Sequence, residues 1–343
     1  MAVTTSATRR TRLAARPRLL AVVVAVVVAV AAVGLGTWAA VGRPDPDGAL
    51  TGLRIMAPNN PGGGHDITAR TSAKIMEDAG IARTVEVFNL PGASGTVGLG
   101  RLVAEDGNGR LAMVMSLGVI GGSYAHSSRV TLADTTPIAR LLEEPEIVVV
   151  SANSPYTDIG QLIDDWRSDP GKVAVGGGSA PGGPDYLAPM LMAKAIGLDP
   201  KKVDYVPFDG GGELAASVIG DKVAFGVSGI GEHIDQVEAG TLRVLAVTGP
   251  ERIEGVDAPT LREAGVDVEF TNWRGVVAPP GISDADRRAL VEAYTEMHGT
   301  RQWKAALERN GWRDAFQTGD DFGAFIGQQT DEVESVLEEL GLT

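Results

Sequence analysis

Short apolar runs alternate with stretches of helical period along most of this chain, and four times a glycine-rich loop separates the two. The clearest case runs from Leu53-Arg54-Ile55-Met56-Ala57 through Pro58-Asn59-Asn60-Pro61-Gly62-Gly63-Gly64-His65-Asp66 into a helical pattern over 67–79. The other three loops are 89–95, 176–184 and 208–212. Strands are expected over 52–57, 84–89, 111–116, 146–151, 173–176, 203–207, 222–227, 243–248 and 275–278. Helices are expected over 67–79, 95–104, 158–168, 185–196, 212–220, 232–239, 284–298, 301–310 and 319–340. Strands and helices in alternation with short links predict an α/β protein whose sheets are covered by helices. Nine strands favour two sheets over one. Seams near 151–155 and 269–273 predict a discontinuous first lobe, 50–150 plus 272–343, and an inserted second lobe, 151–271. Asp66, Thr157 and Ser283 stand where helix caps belong.

The loops carry the candidate chemistry. A glycine-rich segment before a helix presents free backbone N–H groups at the positive end of the helix, where an anion is held. Each loop is also readable as a plain turn: Asp66 as a cap, Ser94 as the cap of the helix starting at Gly95. If the strands are parallel, all four loops lie at the same strand ends, and ligands prefer the crevice there. His65 reads either as a ligand contact or, preferably, as a solvent-facing loop residue. Trp273 reads as packing or a hinge wedge, and Arg274 as a candidate counter-charge near the cleft.

Charge narrows the partners. Positions 1–43 hold six arginines and no acid, which leaves residues 44–343 at −20 of the chain's net −14. So acidic a body argues against nucleic acid. The absence of cysteine excludes disulfides, thiolate metal sites and a lipid-modified cysteine. Arg9 to Arg18 precede an uncharged stretch over 19–42, long enough for a spanning signal anchor and also open to a cleaved signal. Either places the body outside the cytoplasmic membrane, tethered in the first case through 19–42. Residues 44–51 read as a linker.

Enzyme signatures are sparse. The chain has no phosphate loop, GxSxG elbow or HExxH, and its four histidines are scattered. No cofactor, metal or catalytic residue is expected.

The loops also carry a family likeness. Pro58 to Asp66, Asn89-Leu90-Pro91-Gly92-Ala93-Ser94-Gly95, Val206-Pro207-Phe208-Asp209-Gly210-Gly211, the stretch 242–248, Asp257 to Gly265 and Trp273 to Gly281 resemble, in order, the signatures of tripartite tricarboxylate transporter solute-binding proteins, also called Bug receptors. The resemblance implies a type II periplasmic binding fold: two Rossmann-like lobes closing like a flytrap on a small carboxylate. It implies delivery to one large and one small integral membrane subunit, a monomeric body and no catalysis. Carried over, the ligand contacts are Gly62, Gly63, Gly64 and Asp66, then Ala93, Ser94 and Gly95. The opposite lobe adds Ser179, Ala180, Gly182, Asp185, Asp209 and Gly210. Ser116 and Ser228 complete the candidates. Departures stand at Gly183 and Tyr186, where relatives carry Ser and His, and at Asp209, where they carry a cation. They imply a ligand that is uncommon, less charged at its distal end or coupled to a cation. Competing readings are a membrane-tethered sensor and a hydrolase using Ser94 or Ser179.

Overall fold

Each of the nine apolar runs overlaps a strand of the computed structural model, which describes residues 50–341. The segment 1–43, expected to target the chain, and most of the expected linker lie outside the described residues. Among the described residues no helix is long and apolar enough to cross a membrane. The strands are β1 (Leu50–Thr51), β2 (Arg54–Ala57), β3 (Ala82–Arg83), β4 (Glu86–Asn89), β5 (Leu111–Ser116), β6 (Thr136–Ser151), β7 (Val175–Gly177), β8 (Tyr205–Pro207), β9 (Phe225–Gly229), β10 (Leu242–Val247), β11 (Thr271–Ala278) and β12 (Arg313–Thr318).

Two parallel sets make the frame. β4, β2 and β5 run parallel, as do β8, β7 and β9. Between them stand β11 and β6, antiparallel to each other and to β5 and β9 respectively. The two separate sheets expected above are therefore joined in one hydrogen-bonded path, with β10 and β12 also on β6. β6 joins them because it changes partners along its length. Up to Pro145 it pairs with β11 and β12; from Glu146 onward it pairs with β9 and β10. Pro145 has no N–H to donate, and it stands where the partners change.

Buried apolar side chains fill both sets. Leu53, Ile55, Tyr294 and Trp303 are fully buried around β2, and Trp166 meets Phe225 edge-on at 5.1 Å in the β7–β9 set. Trp273 is packing: it is buried edge-on against Phe322 and Phe325, and its Nε1 donates to Gln329.

The caps correct two expectations. The first long helix, Gly64–Asp78, is capped by Gly63, so Asp66 lies inside its first turn; the helix Ile159–Ser168 is capped by Asp158, not Thr157. Ser283 caps the helix Asp284–Gly299 as expected, accepting from the Asp286 N–H at 3.1 Å. Ser283→Ala should cost about 1 kcal/mol. The check is the urea midpoint at unchanged slope; no measurable shift would show that the cap contributes nothing.

A helix that sequence reasoning did not give, Leu117–Ala125, follows β5 directly and is almost entirely buried. Ser116 caps it, accepting from the Gly118 N–H. Its three glycines disfavour a helix on propensity, and here they permit close approach. A Cβ on Gly121 would lie 1.7 Å from the Gly182 carbonyl oxygen, and one on Gly122 would lie 2.5 Å from Ser94 Cβ.

Candidate functional site

The four glycine-rich loops follow β2, β4, β7 and β8, and all four open onto one cleft of about 80 Å³. Gly64, Ser94, Gly95, Ser116, Ser179, Ala180, Asp185, Asp209 and Gly210 line it, as candidates from the sequence; His65, Glu232 and Arg274 line it too. Gly62, Gly63, Asp66, Ala93, Gly182 and Ser228 do not. Among the described residues larger hollows occur elsewhere, the two biggest, of about 650 and 670 Å³, beside the helices Leu117–Ala125 and Arg301–Arg309, others of about 420 and 290 Å³, and no glycine-rich loop lines any of these four.

The residues outside the cleft shape it. Gly63 backs onto Gly210, whose added Cβ would stand 3.5 Å from the Gly63 Cα, and Gly182 packs on Gly121. Asp66 ties the first two loops together. Its carboxylate accepts from the Gly62 N–H at 2.9 Å, from Arg70 Nε at 2.9 Å and from Asn89 Nδ2 at 2.8 Å. Burial alone would raise its pKa, but these donors hold it below the ordinary value. Ala93 belongs to a strained turn. Gly92, Ala93, Ser94 and Gly95 all have positive φ, and the two non-glycine residues, at 47° and 54°, pay of the order of 1–2 kcal/mol each for it. Gly64 and His65 of the first turn of Gly64–Asp78 line the cleft together with Ser94 and Gly95 of this strained turn, and a helix start leaves its first N–H groups without an intrahelical acceptor. Ser94 Oγ and Asn59 Oδ1, both in residues lining the cleft, are buried without a partner.

His65 is not solvent-facing. Its Nε2 lies 2.9 Å from Ser116 Oγ. Burial and the neighbouring Arg274 push its pKa down to about 3, so it is a neutral imidazole. A serine–histidine pair invites comparison with a nucleophile and its base. A ring that resists protonation beside a guanidinium is a poor base, however, and Ser116 already accepts from Gly118. Of the hydrolase candidates, Ser94 Oγ has no base and Ser179 Oγ accepts from the Asp185 N–H at 3.2 Å. Among the described residues no His, Cys, Asp and Glu group is arranged to hold a metal.

The floor of the cleft is acidic. Arg274 is 3% exposed and ion-paired with the fully buried Glu144; Glu232 stands 3.6 Å away on its other side. Burial would lower the Arg274 pKa, but Glu144, Glu232 and Glu146 carry it above the ordinary value. Arg274 thus balances the chain's own carboxylates. Burial, then Asp185, pushes Glu232 up to about 8, and burial pushes Asp185 up to about 6. Glu146, with neither oxygen partnered, is raised well above the ordinary range by burial and its acidic neighbours. His233, buried beside them with both ring nitrogens unpartnered, is pushed down to about 4 by burial. Ser228 is buried on β9 against Asp185 without reaching hydrogen-bond geometry.

The third and fourth cradles are occupied from within. The Gly178 N–H donates to Asp185 Oδ2 at 2.8 Å, and the Gly211 N–H donates to Glu232 Oε2 at 2.6 Å. The expectation of bare donors therefore fails at Gly178 and Gly211, and in the first two loops the Gly62, Gly63 and Gly95 N–H groups likewise donate within the chain, to Asp66, Asn60 and Gly92. Glu232, which fills the fourth cradle, and Glu144, which pairs with Arg274, were not among the sequence candidates. For Glu144 the available signal was two glutamates flanking Pro145 at the head of an unbroken apolar run.

A sequence profile for the tripartite tricarboxylate transporter family receptor matches residues 68–342. Protein BugT of Bordetella pertussis is 26% identical over 299 residues, which cover 84% of this chain and 89% of that protein. A solved structure of MatC from Rhodopseudomonas palustris with bound malate gives a TM-score of 0.73 at 22% identity, covering 84% of this chain and 99% of its own. A second R. palustris protein, with adipate, gives 0.77 at 22% identity, covering 85% and 97%. At such identity the likeness is one of fold, the two-lobed α/β periplasmic binding architecture. The matched profile spans most of the sequence, and the chain belongs to the tripartite tricarboxylate transporter receptor family, whose members are solute receptors and not enzymes.

Proposed function

We propose that this protein is an extracytoplasmic receptor that captures a small organic acid in the cleft and hands it to a membrane transporter with one large and one small integral subunit. The observation that carries this reading is the convergence of four glycine-rich loops, from both parallel sets, on a single cleft. Similar proteins are seen with malate and with adipate. The ligand's carboxylate sits against the first turn of Gly64–Asp78 and the turn Ala93–Gly95, whose Gly64, His65, Ser94 and Gly95 line the cleft. Residues 50–150 plus 272–343 and residues 151–271 act as two lobes. Their crossovers lie where β6 and β11 leave one set for the other, around Pro145 and its partner Thr271. Closure then buries the ligand, because only a ligand touching both sides favours the closed form. The arginine-rich start and the uncharged stretch over 19–42 supply export and, if retained, a tether.

A thermal-shift screen of mono-, di- and tricarboxylates, with sugars as controls, tests the reading. A ligand at 100 times its dissociation constant adds about 2.7 kcal/mol of stability. We expect a clear rise in melting temperature for at least one acid and none for the sugars. A screen in which only uncharged solutes shift the melt rules the acid-receptor reading out.

A further inference from the structure

Tyr205 stands behind the third loop, 176–184, without lining the cleft. On β8 it pairs with Val175 of β7, and its hydroxyl passes over Gly177, where an added Cβ would lie 2.2 Å from it. From there Oη donates to the Ser179 carbonyl oxygen at 2.5 Å. Tyr186 meets the ring edge-on at 4.9 Å, which holds the phenol in place. Burial and the nearby Asp185 keep its pKa well above the ordinary value, so the donor proton stays on.

At Ser179 and Ala180 the acceptors are taken and the donors are not. The Ala180 carbonyl accepts from the Gly183 N–H at 2.9 Å, and Ser179 Oγ accepts from the Asp185 N–H. Among the described residues the Ser179, Ala180 and Gly182 N–H groups have no acceptor. The peptide between Ser179 and Ala180 is trans, and a trans peptide points its C=O and its N–H in opposite directions. With the carbonyl held on Tyr205, the Ala180 N–H points away from Tyr205, and Ser179 and Ala180 both line the cleft.

We infer that Tyr205 is a positioning residue for ligand capture: through the Ser179 carbonyl it turns the Ala180 N–H onto the bound acid. This rests on the acid-receptor reading above and deepens it, by naming a donor on the side opposite the first two loops. A hydrogen bond to a charged acceptor is among the stronger ones, and contact on both sides is what favours a closed form.

Tyr205→Phe keeps the ring and its contact with Tyr186 and removes the hydroxyl alone. Calorimetry on the full chain reads the effect, using whichever of acetate, succinate, glutarate and citrate raises the melting temperature most. Affinity should fall about tenfold. Tyr186→Phe removes the neighbouring hydroxyl, whose pKa is raised by burial alone with no hydrogen bond behind it, and should leave affinity unchanged. Amide NMR adds a signature that a merely structural hydroxyl would not move. The Ala180 N–H resonance should shift downfield when the parent takes the acid, and by less in saturated Tyr205→Phe. Affinity equal to the parent's, at whatever melting temperature, overturns the inference and leaves the acid-receptor reading standing. So does an Ala180 resonance that the acid does not move, or an equal loss in Tyr186→Phe. If none of the four acids binds at about 10 mM while an uncharged solute does, both readings fall.

Discussion

Replacing Arg274 by methionine should destabilise the protein by about 3–5 kcal/mol, because it strands buried carboxylates whose counter-charge it supplies. Glu144 is fully buried against this guanidinium, Glu232 flanks it at 3.6 Å, and Asp185 and Glu146 both feel it. Methionine keeps most of the apolar volume, so a cavity contributes little to the loss. Chemical denaturation of the two proteins side by side measures it. A loss below about 1 kcal/mol would mean that the acids are neutral or hydrated and that the pairing is incidental.

The pH dependence of that loss is fixed in sign. Glu232 is raised when folded, to about 8 from an ordinary 4.5. A group raised on folding contributes stability that is fully present below its unfolded value and is lost as pH rises through the folded one. Asp185, raised to about 6, and Glu146 behave alike. Arg274 lowers all three, so its removal raises them further and enlarges their loss at high pH. Glu144, Asp209, Tyr205, His65 and His233 also stand around this cluster; burial holds the Tyr205 phenol well above its ordinary value, and the two histidines, pushed to about 3 and 4, stay neutral across the window. The deficit of Arg274→Met relative to the parent should therefore be smallest near pH 5 and grow towards pH 8. A deficit that is flat, or larger at pH 5, contradicts the charge account.

The same cluster shows where sequence reading stops. The runs that became β2, β4, β7 and β8 were legible because each is apolar and ends in glycines, features visible within about ten residues. The first half of β6 was not. Arg140, Glu143, Glu144, Pro145 and Glu146 break the strand signal, and the acids make sense only against Arg274, 130 positions away in sequence from Glu144. The helix Leu117–Ala125 was hidden by glycines whose purpose is contact with Gly182 and Ser94. At the cleft, the loops were found and their occupancy was not. Whether a Gly178 or Gly211 N–H is free depends on where Asp185 and Glu232 fall in space, and local pattern carries no record of that. Propensity reports a segment's own preferences, whereas these choices were made by tertiary partners.

Gly121→Ala should leave the fold nearly as stable as before and weaken ligand binding by about 10- to 100-fold. The added methyl would sit 1.7 Å from the Gly182 carbonyl oxygen and 2.5 Å from its carbon, both backbone atoms that cannot rotate away. Gly182 itself, at φ 90°, would place a Cβ 2.6 Å from the Gly121 carbonyl oxygen, so the two chains touch reciprocally. Gly121 follows β5 in one parallel set, and Gly182 follows β7 in the other. If the two sets part when the cleft is empty, the unliganded protein escapes the clash by staying open, and only the closed form bears an overpacking cost of about 1–3 kcal/mol. Apparent affinity falls with the closed population, which turns that cost into the stated loss. Small-angle scattering should then show a parent that contracts on adding ligand and a variant that needs far more ligand to do so. Unchanged affinity together with a melting temperature several degrees lower would show instead that Gly121 and Gly182 are parts of one rigid core, and that the cleft does not work by closing.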